Sequence, residues 1–404
     1  MLVLLGGISV EEKIKLNIKK VNQTLNGEAS WHLNAMRGIA AVMVLMNHFR
    51  NTFFVTYQDV ENQNIFTLLL YSFTGLGHEA VMVFFVLSGF LISNSILKVL
   101  NNWSWKHYLI NRLTRLSVVL IPALVLGLII DLIGLYFFDY SFFPHNMDER
   151  INVEVFLGNL LYLQGFQVSV LGTNDPLWSL SYEFWYYLIF PAILLTITKT
   201  KGLWTRLSYL IFTFLCFFIV GKEVSFYFLV WLMGFVVLIF PAIKIESKVL
   251  IASAKIGAVL LFIITLGVSR LNLISLPLVE DILVAISFSL LVYLTLHLQN
   301  VFNATSNLKE WYRNSAEWLS GFSYTLYLIH FPILIFLFAF FSKFGMEKAQ
   351  PSVLSIVSGI ILCISISIVA YLFSLVTENK TKKIKELIYA LIASAGKSIA
   401  IGKK

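Results

Sequence analysis

The chain has 404 residues, of which 58% are hydrophobic and only 13% charged. A soluble protein carries roughly twice that share of charge, about 25%, so a water-soluble globular domain is excluded. The formal net charge of +8 sits in short Lys and Arg clusters between apolar runs, which fits membrane orientation and not nucleic-acid binding.

The apolar runs are long and do not alternate, so helices and not barrel strands must satisfy the backbone in lipid. The opening "MLVLLGG" is too short for a signal-peptide core and runs into the acidic "EEKIK", so residues 1–33 read as an uncleaved leader. About ten spans follow, near 34–56, 79–97, 116–138, 177–198, 205–220, 225–242, 249–268, 281–298, 318–341 and 352–376. Residues 155–171, "VFLGNLLYLQGFQVSVL", are apolar, but counting them as a span would invert every later loop. They read as a short outer-face or re-entrant helix. The tail 377–404 mixes Lys with a short apolar stripe and suits the inner leaflet.

Loops such as "KVLNNWSWKHYLINRLTR" and "ENKTKKIK" alternate with acidic loops such as "FDYSFFPHNMDERINVE". The positive-inside rule then puts both termini in the cytoplasm. The expected fold is all-α: a polytopic membrane helix bundle of about ten transmembrane helices, with one membrane domain, 34–376, between leader and tail. It would be multi-pass in the cell (inner or plasma) membrane. Cys216 and Cys363 lie inside apolar runs and read as packing residues, not as a disulfide or metal pair, and no metal site is expected.

Ionisable groups inside spans are costly and mark function by default. In "RGIAAVMVLMNHF", Arg37 and His48 are eleven residues apart. They share a helix face, separated by about 16 Å along the axis. For Arg37 the structural alternative is a snorkel to the inner headgroups, and it is favoured at this point. For His48, which both takes and gives a proton near neutral pH, function leads over a hydrogen-bonded core role. "PLWSLSYEFWYYLIFP" opens a span with Trp178, Ser181 and Glu183; a lone intramembrane Glu needs a cation, a hydroxyl or a proton, and a structural helix-to-helix bond is the alternative. "GFSYTLYLIHFPI" carries Tyr324, Tyr327 and His330 ahead of Pro332, and that proline frees a backbone carbonyl which something must satisfy. A catalytic His330 and a structural His in a kinked helix stand level here. Arg112 and Arg115 are three apart, on one face at a cytoplasmic helix start with Lys106 and His107 nearby. They suit a phosphate-bearing ligand, but from spacing alone ordinary positive-inside decoration is the favoured reading. "FFVLSGFLIS" reads as a close-packing or backbone-exposure site, and Asp131 has no obvious partner.

Together these stretches resemble the acyltransferase-3 family of integral-membrane O-acyltransferases, over about 34–376. The motifs stand in family order: Arg37 to His48, "FFVLSGFLI", Arg112 and Arg115 followed by Pro122, Trp178 to Glu183, and Ser323 to Pro332. The resemblance implies transfer of an acyl group, usually acetyl from acetyl-CoA, to a hydroxyl of a cell-surface or exported glycan or other acceptor. Some relatives carry a fused extracytoplasmic SGNH-type domain; residues 377–404 are too few for one, so a separate extracytoplasmic partner is left open.

On that basis Arg112 and Arg115, with Arg37, are the expected binders of the donor's phosphates. His48 is the expected general base, with Glu183 or His330 orienting it or holding the acceptor, and Trp178, Ser181 and Tyr324 are expected at the acceptor. A transient acyl-His48 is the variant. The rival classes are a transporter or flippase of a lipid-linked sugar, which would use the same polar residues as a path, and a non-catalytic membrane scaffold.

Overall fold

The computed structural model describes residues 10–198, 202–243, 245–298 and 305–401, the side chains of 10–15 and 395–401 excepted. Its helices are α1 (Val10–Leu25), α2 (Glu28–Phe53), α3 (Ile65–Phe73), α4 (Gly77–Val99), α5 (Trp105–Phe137), α6 (Val153–Leu160) and α7 (Trp178–Ile197). They continue with α8 (Leu203–Ile239), α9 (Lys248–Arg270), α10 (Pro277–His297), α11 (Ser306–Gly321), α12 (Ser323–Lys343), α13 (Val353–Val376) and α14 (Thr381–Ile401). No strand occurs among the described residues. The protein is an all-α, multi-pass membrane protein.

Eight helices among the described residues are long and apolar enough to cross a membrane. The expected span 205–220 falls within α8, and 225–242 overruns its end at Ile239 by three residues; between them Gly221 adopts φ +77° and breaks the helical path. Only glycine takes that conformation without strain. The expected span 34–56 corresponds to α2, whose 26 residues reach about 39 Å. Its His, Arg and Asn residues make it too polar to count on composition. The expected span 318–341 starts later than its apolar run suggested: Trp318 and Leu319 belong to the charged helix α11, and the helix is broken at Phe322 before α12 begins. The segment 155–171 forms one short helix, α6, of eight residues, far too short to span.

The chain folds as two compact units. The first comprises Met1–Asn101 and Ser179–Ser323, and so holds α1–α4, nearly all of α7, and α8–α11. Its tightest packing is α4 against α8. A side chain at Gly89 would collide with the Trp231 carbonyl, and one at Gly234 with the Val86 carbonyl, so two backbones meet there directly. Lipid offers no hydrophobic drive for helix association, and close packing plus buried hydrogen bonds must hold such a pair. Fully buried Trp231 anchors the aromatic layer beside it, 5.0 Å from Phe190 and stacked 5.7 Å from Phe228. The leader joins the same unit: Asn17 of α1 donates to the carbonyls of Leu238 and Phe240, which α8 leaves unpaired at its end.

The second unit comprises Asn102–Trp178 and Tyr324–Lys404, with α5, α6 and α12–α14. Tyr140, Phe143 and Met147 of the loop after α5 pack with Phe331, Ile335 and Ala339 of α12. Along α8, α9 and α13, large apolar side chains such as Phe218, Ile264, Val353 and Ile361 stand exposed. In water such rows would aggregate; in lipid they are the expected outer surface.

Candidate active site

In the first unit, α2 carries Arg37 and His48. Arg37 is half-buried, and its Nη2 donates to the Ser320 carbonyl at 3.3 Å, in the last turn of α11. A cation there satisfies an orphan carbonyl and the negative end of the helix. Ala40, Ala41, Met43, Val44 and Leu45 are buried, and the burial gives way at His48, whose imidazole is half-buried. Thr52 Oγ1 donates to the His48 carbonyl at 2.8 Å, one turn on.

Two of the sequence motifs meet inside this unit. Ser88, from "FFVLSGFLI", donates to Glu183 Oε1 of "WSLSYE" at 2.6 Å, and the Tyr187 hydroxyl donates to the same oxygen. Trp231 Nε1 in turn donates to Ser88 Oγ at 3.2 Å. Ser181 is wholly buried, six residues before Tyr187 in the same helix. At the start of α4, His78 pairs with Asp281 at 2.8 Å and Tyr227 donates to the other oxygen of Asp281. Glu79 accepts from Ser269 at 3.0 Å. Trp231, Tyr187 and Tyr227 were invisible as members of a polar system, because aromatic residues in apolar runs look like packing; Asp281 was passed over because it stands at the edge of its span.

In the second unit, Arg112 and Arg115 lie in the second and third turns of α5. Arg112 is half-buried with its guanidinium over the Tyr108 ring at 5.6 Å, and Arg115 is exposed. His107 beside them stacks on Tyr389 of α14, ring centroids 5.7 Å apart, so the basic tail reaches this helix start. Tyr324 donates to the Leu116 carbonyl at 3.1 Å. Trp178 is half-buried as the first residue of α7.

His330 is wholly buried on α12. Its Nδ1 lies 2.9 Å from both the Leu326 and Tyr327 carbonyls. A carbonyl oxygen only accepts, so Nδ1 carries a proton. The loop "GTNDPL" before α7 is pinned from several sides. Thr173 donates twice to Asp131, both at 2.8 Å; Arg150 contacts the Gly172 carbonyl and pairs with Asp175 at 2.5 Å; Tyr327 donates to the Pro176 carbonyl at 2.9 Å. Tyr140, outside the spans, packs against Gly134; burial, and then the charge of Asp131, push its phenol pKa up. Sequence reading missed this loop, since its anchors come from α5, the 138–152 loop and α12.

Among the described residues, no three His, Cys, Asp or Glu side chains converge as a metal would require. The chemistry on offer is that of imidazoles, one half-buried and one sealed, with buried hydroxyls and carboxylates and a forked cation pair at a helix start. Comparison with known proteins adds one finding: a family model described as an acyltransferase domain matches residues 31–372. No curated protein and no solved structure matches the chain. A match over that share of 404 residues shows that the chain belongs to the acyltransferase-3 family and is an acyltransferase of that family.

Proposed function

We propose that the protein is an O-acyltransferase of the cell membrane, moving an acyl group, most simply acetyl from acetyl-CoA, to a hydroxyl of a cell-surface or exported glycan. The observation that carries the reading is the half-buried His48 on α2, eleven residues from Arg37. An imidazole so placed is shielded enough to keep its basicity directed and open enough to meet a substrate. Arg112 and Arg115 are assigned the phosphates of the donor, and Arg37 the same duty. The forked guanidiniums match phosphate oxygens, and those charges cannot enter lipid cheaply.

His48 takes the proton of the acceptor hydroxyl as its oxygen attacks the thioester carbonyl. The C–S bond breaks, and the departing thiolate takes the proton back from the imidazolium. Glu183 or His330 serves to orient the base or to hold the acceptor, and Trp178, with Ser181 and Tyr324, serves the acceptor sugar. A separate extracytoplasmic partner is compatible with this chemistry.

The test compares wild type with His48→Ala in a host carrying its own glycans, measuring base-labile ester on purified surface polysaccharide by mass spectrometry. Ester present in wild type and lost in the variant, at equal protein in the membrane, is the expected result. Ester unchanged by the substitution overturns His48 as the base. Movement of a lipid-linked acceptor that persists after all acyl donor is removed would instead point to a transporter.

A further inference from the structure

Between α2 and α4, the short helix α3 ends in the turn Tyr71–Gly75, and two arginines from different helices converge on it. Arg50 stands in the last turn of α2, its guanidinium carbon 5.1 Å from the centre of the Tyr71 ring. Its Nη2 donates to Asn51 Oδ1 at 2.6 Å. Arg270 is the last residue of α9, and its guanidinium lies so close over Gly75 that any side chain at 75 would collide with it. The Tyr71 hydroxyl donates to the Val55 carbonyl at 2.8 Å and fixes the ring between these elements. All of these residues belong to the first unit.

The two guanidiniums act on each other as like charges. Neither takes part in an ion pair: those found among the described residues join other side chains. Both Nε atoms are buried and have no hydrogen-bond partner. Glu79 accepts through Oε1 from Ser269, the residue before Arg270; its Oε2 is buried without a hydrogen-bond partner, and it forms no ion pair with either arginine among the described residues. A single arginine at a helix C-terminus is explained by the helix dipole and the orphan carbonyls. Two that converge on one turn, against their own repulsion and without a carboxylate, are not.

What completes such a pair is an oxyanion. Guanidinium forks present parallel N–H donors that match the oxygens of phosphate, and two forks suit one phosphate group approached from two sides. The surroundings narrow the class. Ile65, Phe66, Leu69 and Phe73 on α3 are exposed and apolar, which is how a short helix sits at a lipid boundary, and phosphate is the anion of that boundary. We propose that Arg50 and Arg270, meeting over Tyr71 and Gly75, form a phosphate-binding site at the end of α2 remote from Arg37. The phosphate is borne either by a phospholipid headgroup or by a water-borne ligand. The proposal stands apart from the acyl-transfer reading and needs none of its residues.

The test uses the full-length protein in a phosphate-free maltoside detergent, with thermal unfolding followed by tryptophan fluorescence. One arm adds phosphatidylglycerol to the micelles, with diacylglycerol of the same acyl chains as its phosphate-free control. The other adds inorganic phosphate in place of chloride at constant ionic strength. Wild type is expected to melt higher in at least one arm, and Arg50→Gln/Arg270→Gln to show no shift in either. A shift with phosphatidylglycerol alone assigns the site to a lipid headgroup; a shift with inorganic phosphate assigns it to a water-borne ligand. With no added anion, Arg270→Gln should melt no lower than wild type, because it relieves the repulsion, whereas a purely structural arginine would lower the melt. If the double glutamine variant does not insert, Arg50→Lys/Arg270→Lys keeps the charge and loses the forks, and its shift should fall to less than half. No shift in wild type, or an equal shift in wild type and either double variant, overturns the proposal.

Discussion

The Asn174 side chain donates a hydrogen bond to the carbonyl of Leu328 at 2.8 Å. Leu328 lies four residues before Pro332, so its carbonyl is the one that the proline leaves without a helical donor. A loop residue thus supplies what the α12 backbone lacks, within the second unit. Asn174→Ala should leave that buried carbonyl unsatisfied at a cost of about 1–3 kcal/mol. Pro332→Ala restores an N–H to the helix, so Asn174→Ala should cost much less in that background. Apparent melting temperatures of the four proteins in one detergent measure the coupling, which should be on the order of 1 kcal/mol. Equal losses in both backgrounds would show that the bond does not compensate the proline.

Asp131 is explained by a partner 42 residues away. Thr173 donates to it through both its backbone N–H and its hydroxyl, and the carboxylate is buried. Next to it Gly172 holds φ +56°, and a side chain there would meet Asp131 itself. Gly172→Ala therefore carries both backbone strain and a clash, and should cost more than Asp131→Asn, which keeps one acceptor oxygen. Losses of about 2–4 and 1–2 kcal/mol are expected respectively. Since these groups brace a loop, acyl transfer per folded molecule should change little in Asp131→Asn. A large fall in transfer at unchanged stability would give Asp131 a part in the chemistry.

What was legible in the sequence was whatever is local. Span length and apolar content announced the helices, and intramembrane Arg, His and Glu announced the polar sites because each stands out among its immediate neighbours. The segment "GKE" was legible as a break between two apolar runs, and Gly221 interrupts the helical path there within one long helix. The start of α12 was misjudged because Trp318 and Leu319 extend the apolar run backwards, while the charges of α11 lie further upstream. The partners of Glu183 were not legible: Ser88 is 95 residues away, and Trp231 reaches Ser88 across 143. Side-chain pairing over such separations depends on which helices pack, and apolar spans in lipid carry little sequence signal for that.

The contact of α4 with α8 is the clearest case of small residues setting a helix pair. Gly89 faces the Trp231 backbone and Gly234 faces the backbone of Val86 and Phe90. Both partners are main chain, which cannot swing aside as a long side chain would. Gly234→Ala should push the helices apart and break the Trp231–Ser88 bond, with a loss of about 1–3 kcal/mol typical of overpacking. The indole would report it: Trp231 is fully buried, so its emission should shift to the red in the variant. Unchanged emission with unchanged melting would show that the pair tolerates a methyl group.

Glu183 offers a sharper separation of structure from chemistry. Its Oε1 accepts from Ser88 and Tyr187, so the carboxylate ties α4 to α7 whatever else it does. Glu183→Gln keeps a carbonyl oxygen for those donors and removes only the charge. Glu183→Ala removes both and leaves two hydroxyls short of an acceptor, at about 1–3 kcal/mol. If the negative charge orients the His48 imidazolium or holds the acceptor, Glu183→Gln should melt close to wild type and lose roughly 100-fold in kcat. Ser88→Ala is the control, since it breaks the same tie and leaves the charge in place. It should lose stability while keeping most of its turnover. Glu183→Gln with wild-type turnover would reduce Glu183 to a helix tie and leave the orienting role to His330.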